Sequence, residues 1–343
     1  MSDGSGHPLL DVRDLCVHFP TEDGLVKAVD GATFRLEKGE TLGVVGESGS
    51  GKSVTFMTVM GLINRKTARV SGQVLFDGID LLTIPDRQLR RLRGARIGMV
   101  FQDPMTSLHP MHRVGDQIAE AVLTHRDVSK REAEAMAVEA LRRVGIPSPE
   151  RRARQYPHEF SGGMRQRAMI AMGIVLEPDL LIADEPTTAL DVTVQAQILE
   201  LIAELKERLG VGVVLISHNL GVIADVAQRV MIMYAGRPVE IGGRDEIFSE
   251  PRHPYSWGLI ESIPRPDVRV ERLQPIEGSP PSLIHLPPGC AFNPRCPHRF
   301  APCLTERPEL AGDASHTDAC HLDPADKVRI WAERRQRLID AAA

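Results

Sequence analysis

The sequence predicts an α/β fold, a mainly parallel sheet covered by helices, and three observations carry that prediction. Short, near-continuous apolar runs at 42–45, 97–101, 180–183 and 213–216 have the pattern of strands buried on both faces. A glycine-rich stretch follows the first run and precedes a helical pattern. Residues 9–38 instead alternate apolar and polar, as in Leu10-Asp11-Val12-Arg13 and Thr33-Phe34-Arg35-Leu36, with a turn at Glu22-Asp23-Gly24. That alternation predicts a half-exposed antiparallel sheet.

Strand signals stop between 102 and 161. Residues 114–123 and 130–144 carry apolar positions at helical spacing there, which gives a helical insert over about 103–160. Strand character returns at 229–241 around Gly236. From about Pro251 proline and glycine become frequent, and regular α/β structure is expected to end. The chain then divides into a main domain over 9–250 and a small, loop-rich extension over 251–343. From Ala325 the tail is Arg-rich and helix-forming and reads as a solvated surface helix. No internal repeat is found, so one main domain is expected.

A length of 343 residues suits a large domain plus an appendage. With 42% hydrophobic and 25% charged residues the chain has ordinary globular composition, and no apolar run approaches the roughly 18 residues that span a bilayer. The start, MSDGSGHPLL, lacks the pattern of a secretory signal, so a cytoplasmic location is expected and any membrane role has to come through partners. A net charge of -5 argues against a broad nucleic-acid surface. Cys16 stands apart from Cys290, Cys296, Cys303 and Cys320, and in a reducing compartment four clustered thiols point to a metal or cluster.

Gly46-Glu47-Ser48-Gly49-Ser50-Gly51-Lys52-Ser53 matches the phosphate-loop pattern between a strand and a helix. Glycines let backbone N–H groups close on the β-phosphate, the helix start adds positive potential, Lys52 places a charge on β and γ oxygens, and the Ser53 hydroxyl suits Mg²⁺. The apolar run ending in Asp184-Glu185 supplies two carboxylates, Asp184 for the Mg²⁺ shell and Glu185 to polarise the attacking water. These two motifs specify only a phosphate-loop ATPase, a class that includes kinases, GTPases and helicases.

Phe160-Ser161-Gly162-Gly163-Met164 resembles the signature of ABC ATPases, with Phe and Met where Leu and Gln are usual. Phe101-Gln102-Asp103-Pro104 resembles the Q-loop, Ala189-Leu190-Asp191 the D-loop and Ser217-His218-Asn219 the switch region, in the family's order. The resemblance covers about 9–245 and implies a RecA-like core with an antiparallel β subdomain and a helical subdomain. It implies further that Gln102 reaches Mg²⁺, that His218 contacts the γ-phosphate, and that Asp191 lies at a dimer seam. Ser161, Gly162 and Gly163 would face the γ-phosphate held by the opposite subunit, and Phe19 is the candidate for stacking on adenine, with a core role as its alternative. The cofactors implied are ATP and Mg²⁺.

His253-Pro254-Tyr255, Gly278-Ser279-Pro280-Pro281 and Gly289-Cys290-Ala291-Phe292-Asn293-Pro294-Arg295-Cys296-Pro297 resemble the C-terminal extension of oligopeptide, dipeptide and nickel importer ATPases. The thiols are separated by five, six and sixteen residues, whereas zinc sites usually include a pair separated by about two to four. A [4Fe-4S] cluster, zinc and unligated thiols remain open, and the resemblance favours the cluster. The family implies an ATPase on the cytoplasmic face of the membrane that drives di- or oligopeptide import. Its partners would be a second, related ATPase subunit, two transmembrane permeases and, indirectly, an extracytoplasmic substrate-binding protein, with no nucleic acid. Nickel import is the near alternative. A soluble ABC ATPase is opposed by the lack of a coiled-coil insertion or second ATPase domain, and a small-molecule kinase by the signature and His218.

Overall fold

The computed structural model describes residues 7–188, 190–263, 276–313 and 315–340, the side chain of Leu338 excepted. The chain forms two compact units, one of 1–11, 35–41 and 74–216, the other of 12–34, 42–73 and 217–343. The first six residues and Ala189 of the Ala189-Leu190-Asp191 motif lie outside the described residues.

In the first unit the strands Ile97–Val100, Leu180–Asp184 and Gly212–Ser217 pair in parallel, with Ile97 opposite Leu180 and Leu180 opposite Gly212. Every residue of these strands is buried, which is why they read as unbroken apolar runs. Arg96 fastens the edge, donating to Asp77 at 2.9 Å and Asp179 at 2.6 Å. The helical insert contains Val114–His125 and Lys130–Arg143, which pack on one another and on Gly162–Ile174. A capping box starts the second of these helices: the Ser129 N–H donates to Glu132 at 2.8 Å and the Glu132 N–H to the Ser129 hydroxyl at 3.3 Å.

In the second unit residues 42–45 of the strand Thr41–Val45 run parallel to Arg229–Tyr234, which pairs antiparallel with Arg237–Gly243. Regular structure continues beyond 251, contrary to expectation. His316–Asp318 adds to Arg237–Gly243 with Gly242 opposite His316, and Ala311–Gly312 adds in turn. The helices Pro254–Glu261, Ala301–Thr305 and Pro324–Asp340 follow. Proline misled the sequence reading because it stands in the first turn of these helices, where its missing N–H costs nothing and its fixed φ favours the start.

The C-terminal helix is not solvated all round. Ile330 and Trp331 are buried, the Trp331 indole donates to the Ser249 carbonyl at 2.7 Å, and Arg334 grips Glu261 through two bonds of 2.7 and 2.6 Å. Glu240, fully buried, accepts from the N–H groups of Arg252 and His253 and bonds His316 Nε2 at 2.8 Å, so one carboxylate ties two segments of the tail to the sheet. Among the described residues no helix is long and apolar enough to cross a membrane.

Candidate nucleotide and thiol sites

The phosphate loop lies in the second unit, between the strand Thr41–Val45 and the helix Lys52–Val59. Its shape needs glycine. Gly51 caps the helix at φ 98°, and a Cβ there would stand 2.3 Å from the Ala28 carbonyl oxygen. A Cβ on Gly46 would meet the Met233 carbonyl at 2.2 Å. Lys52 is buried, and its Nζ donates to the carbonyls of Gly46 at 2.7 Å and Glu47 at 3.1 Å, curled inside the loop it would serve. The Ser50 hydroxyl is buried and has no hydrogen-bond partner among the described residues. Ser48 and Gly49 lie on the exposed side of the loop, and Ser53 is the second residue of the helix. In the same unit Phe19 is half-buried on the strand Leu10–Thr21 and His218 is exposed beyond Gly212–Ser217.

The first unit brings together the remaining candidates. Asp184 is the buried last residue of its strand, and Glu185, next to it, adopts φ 47°, a left-handed conformation unusual for any residue but glycine. Its N–H donates to the Ile216 carbonyl at 3.0 Å, which holds that turn in place. The carboxylate accepts from Gln102 Nε2 at 3.2 Å and from the Thr188 hydroxyl at 2.9 Å. Thr188 belongs to none of the motifs, and its place three residues after the carboxylate is the signal that could have found it.

Ser161 caps the helix Gly162–Ile174, its hydroxyl accepting from the Met164 N–H at 3.3 Å. A Cβ on Gly163 would press to 2.8 Å from Val194, so this glycine is also needed for packing. Asp191 caps Val192–Leu209 by accepting from the Val194 N–H at 2.9 Å.

Back in the second unit, Cys290, Cys296, Cys303 and Cys320 line one small cavity with His253 and His298. Gly289, at φ 69°, allows the Cys290 N–H to reach the Cys303 carbonyl at 3.0 Å. Burial pushes the thiol pKa of Cys290 upward, that of Cys296 to about 11 and that of Cys320 to about 12. His298 Nε2 is buried without a hydrogen-bond partner among the described residues.

A second group escaped the sequence reading: Cys16, His18 and Asp30 bring their ligand atoms within 4.8 Å of one another. Asp30 already bonds His18 at 2.9 Å and accepts from Arg307 at 2.7 Å, so its charge is met without an ion.

The family described as ABC transporter matches residues 29–188, and that described as oligopeptide/dipeptide transporter, C-terminal region, matches residues 239–303. The chain is 52% identical to the dipeptide transport ATP-binding protein DppD of Bacillus subtilis (strain 168), over 92% of this chain and 94% of that one. To the oligopeptide transport ATP-binding protein OppD of Salmonella typhimurium (strain LT2) it is 49% identical, over 91% and 93%. Among solved structures, a dimeric post-hydrolysis ATP-binding cassette bound to ADP and Pi superimposes with a TM-score of 0.62 at 25% identity, over 68% of this chain and 98% of the other. The chain belongs to the ABC transporter ATP-binding proteins, in their oligopeptide/dipeptide branch.

Proposed function

We propose that this chain binds MgATP and hydrolyses it as the energising subunit of a bacterial ABC importer of di- or oligopeptides. The observation that carries the reading is Glu185, a carboxylate at the end of a buried strand, on strained backbone, met by Gln102 and Thr188. Strain of this kind persists where the surroundings over-determine it, which suits a group that must aim at one atom.

The backbone amides of Gly46, Ser48, Gly49, Ser50 and Gly51 wrap the β-phosphate, and Lys52 offsets the charge of the β and γ oxygens. Ser53, Asp184 and Gln102 would hold Mg²⁺, Phe19 would stack on adenine, and His218 would steady the γ-phosphate. Glu185 turns a water in line with phosphorus; the new O–P bond forms as the bond to the bridging oxygen breaks, giving ADP and phosphate. The water's proton leaves through the Glu185 carboxylate.

Ser161, Gly162 and Gly163 complete the site of a second, related subunit. Val192, 84% exposed directly after Asp191, supports a subunit seam there. Met111, 76% exposed in the helical insert, supports docking of transmembrane permeases there; with two such partners the chain would work at the cytoplasmic face of the membrane. A substrate-binding protein would deliver peptide from outside. The names of the relatives support peptide as cargo. The test is uptake of a labelled dipeptide by membrane vesicles containing the chain, the related ATPase subunit, the permeases and the substrate-binding protein. Uptake that needs ATP and is competed by peptides is expected; uptake indifferent to ATP would overturn the reading.

The four thiols fit a [4Fe-4S] cluster better than zinc. A single tetrahedral zinc draws sulfurs to within about 4 Å of one another. Among the described residues the one group of His, Cys, Asp or Glu gathered within 4.8 Å is Cys16, His18 and Asp30, so the four thiols are more widely set. A bound cluster would cross-link a loop-rich segment with little core. Anaerobic purification should give iron and sulfide in equal amounts, lost in Cys303→Ser; stoichiometric zinc without iron would replace this assignment.

A further inference from the structure

Glu47 brings a carboxylate into a loop built to hold a polyanion, and that charge is met from far along the chain. Arg295 Nη1 donates to Glu47 Oε2 at 2.7 Å and Nη2 to Oε1 at 3.1 Å, a two-pronged pair. The guanidinium's other bonds are also made: Nε donates to the Glu277 carbonyl at 2.9 Å, Nη2 to the Ile276 carbonyl at 3.1 Å, and Nη1 to the Tyr234 hydroxyl at 3.4 Å. The Arg295 side chain is 4% exposed and that of Glu47 29%. The Tyr255 hydroxyl accepts from the Glu47 N–H at 2.9 Å, and Phe292 packs on Tyr234 and Tyr255 with ring centres 5.3 and 5.5 Å away. Arg295 ends the short helical turn Asn293–Arg295, between Cys290 and Cys296.

A fully engaged, buried arginine has little freedom to move, so whatever it grips is held in one place. Here it grips the phosphate loop, neutralising the one acidic side chain in that loop and fixing its entry. We propose that Arg295 is a positioning residue for the phosphate loop, setting nucleotide affinity through Glu47 and thereby linking the cysteine-bearing segment to the ATP site. This rests on the reading of residues 46–53 as the nucleotide site. With Arg295 gone, Glu47 is left as an uncompensated charge beside the triphosphate; with Glu47 also neutral, the repulsion disappears.

The test is a double-mutant cycle on the full-length chain, measuring the Kd of a fluorescent ATP analogue with magnesium by titration. Arg295→Met is expected to weaken binding about tenfold, within the usual span of coupling between two sites. Arg295→Met combined with Glu47→Gln should recover most of that loss, with Glu47→Gln alone measured to close the cycle. Arg295→Lys, which keeps the charge but not the two-pronged geometry, should fall between, and it serves if Arg295→Met does not fold. A folded Arg295→Met or Arg295→Lys that binds like the unaltered chain overturns the proposal. So does a double variant as weak as the single one, since a merely structural arginine would not be rescued by changing Glu47. Failure of the underlying reading looks different: the unaltered chain would not bind the analogue, or Lys52→Ala would bind it equally well.

Discussion

Eight consecutive residues make the phosphate loop, whereas the four thiols of the cysteine-bearing segment come from positions 290, 296, 303 and 320 and meet only because a turn, a short helix and a strand gather them. The loop's ligand-holding groups are contiguous, between a strand and a helix, although long-range contacts shape it: the Ala28 and Met233 carbonyls lie against its glycines and Arg295 grips Glu47. The thiol cavity is tertiary. It depends on Glu240 and on the buried Asp318–Lys327 pair, with atoms 2.6 Å apart, to hold the chain on either side. A local site should fail by losing its ligand, and a tertiary one by losing its fold.

Substitutions can break that contrast. Lys52→Ala should cost nucleotide affinity about a thousandfold by removing a buried, hydrogen-bonded charge partner, while leaving the melting temperature nearly unchanged. Equilibrium binding beside calorimetry checks it, and a large loss of stability would show that Lys52 holds the fold as well as the ligand. Glu240→Ala should do the reverse. Two buried N–H groups and His316 lose their acceptor, at a cost of about 3 kcal/mol, read as a lower denaturant midpoint and early proteolysis after 251. Ser129→Ala, in the capping box of the helical insert, should cost about 1 kcal/mol and alter neither nucleotide affinity nor the tail. If it changed nucleotide affinity, the insert would be coupled to the site more tightly than its own packing requires.

The same contrast decided what the sequence could reveal. Strands buried on both faces at 97–100 and 180–184 announced themselves as apolar runs, and the helices at 114–125 and 130–143 by their spacing. Contiguous motifs placed Lys52, Asp184 and Glu185 on the right elements. The φ of 47° at Glu185 was invisible, since nothing in Asp-Glu-Pro spells a left-handed residue. The tail was misread because proline was weighed as a breaker when it was starting helices, and because the strand His316–Asp318 is too short to show an alternation. Arg295 and Glu47 lie 248 positions apart, and a pair formed only by folding leaves no trace in spacing.

If Glu185 polarises the attacking water, as proposed, its loss should spare ATP binding and stop hydrolysis. Phosphate release under single-turnover conditions, with bound nucleotide measured in the same samples, tests it most directly. Glu185→Gln should retain ATP binding within about twofold and lower the hydrolysis rate by about two to four orders of magnitude, the usual worth of a positioned acid–base group. A Glu185→Gln chain that releases phosphate at the unaltered rate would contradict the account.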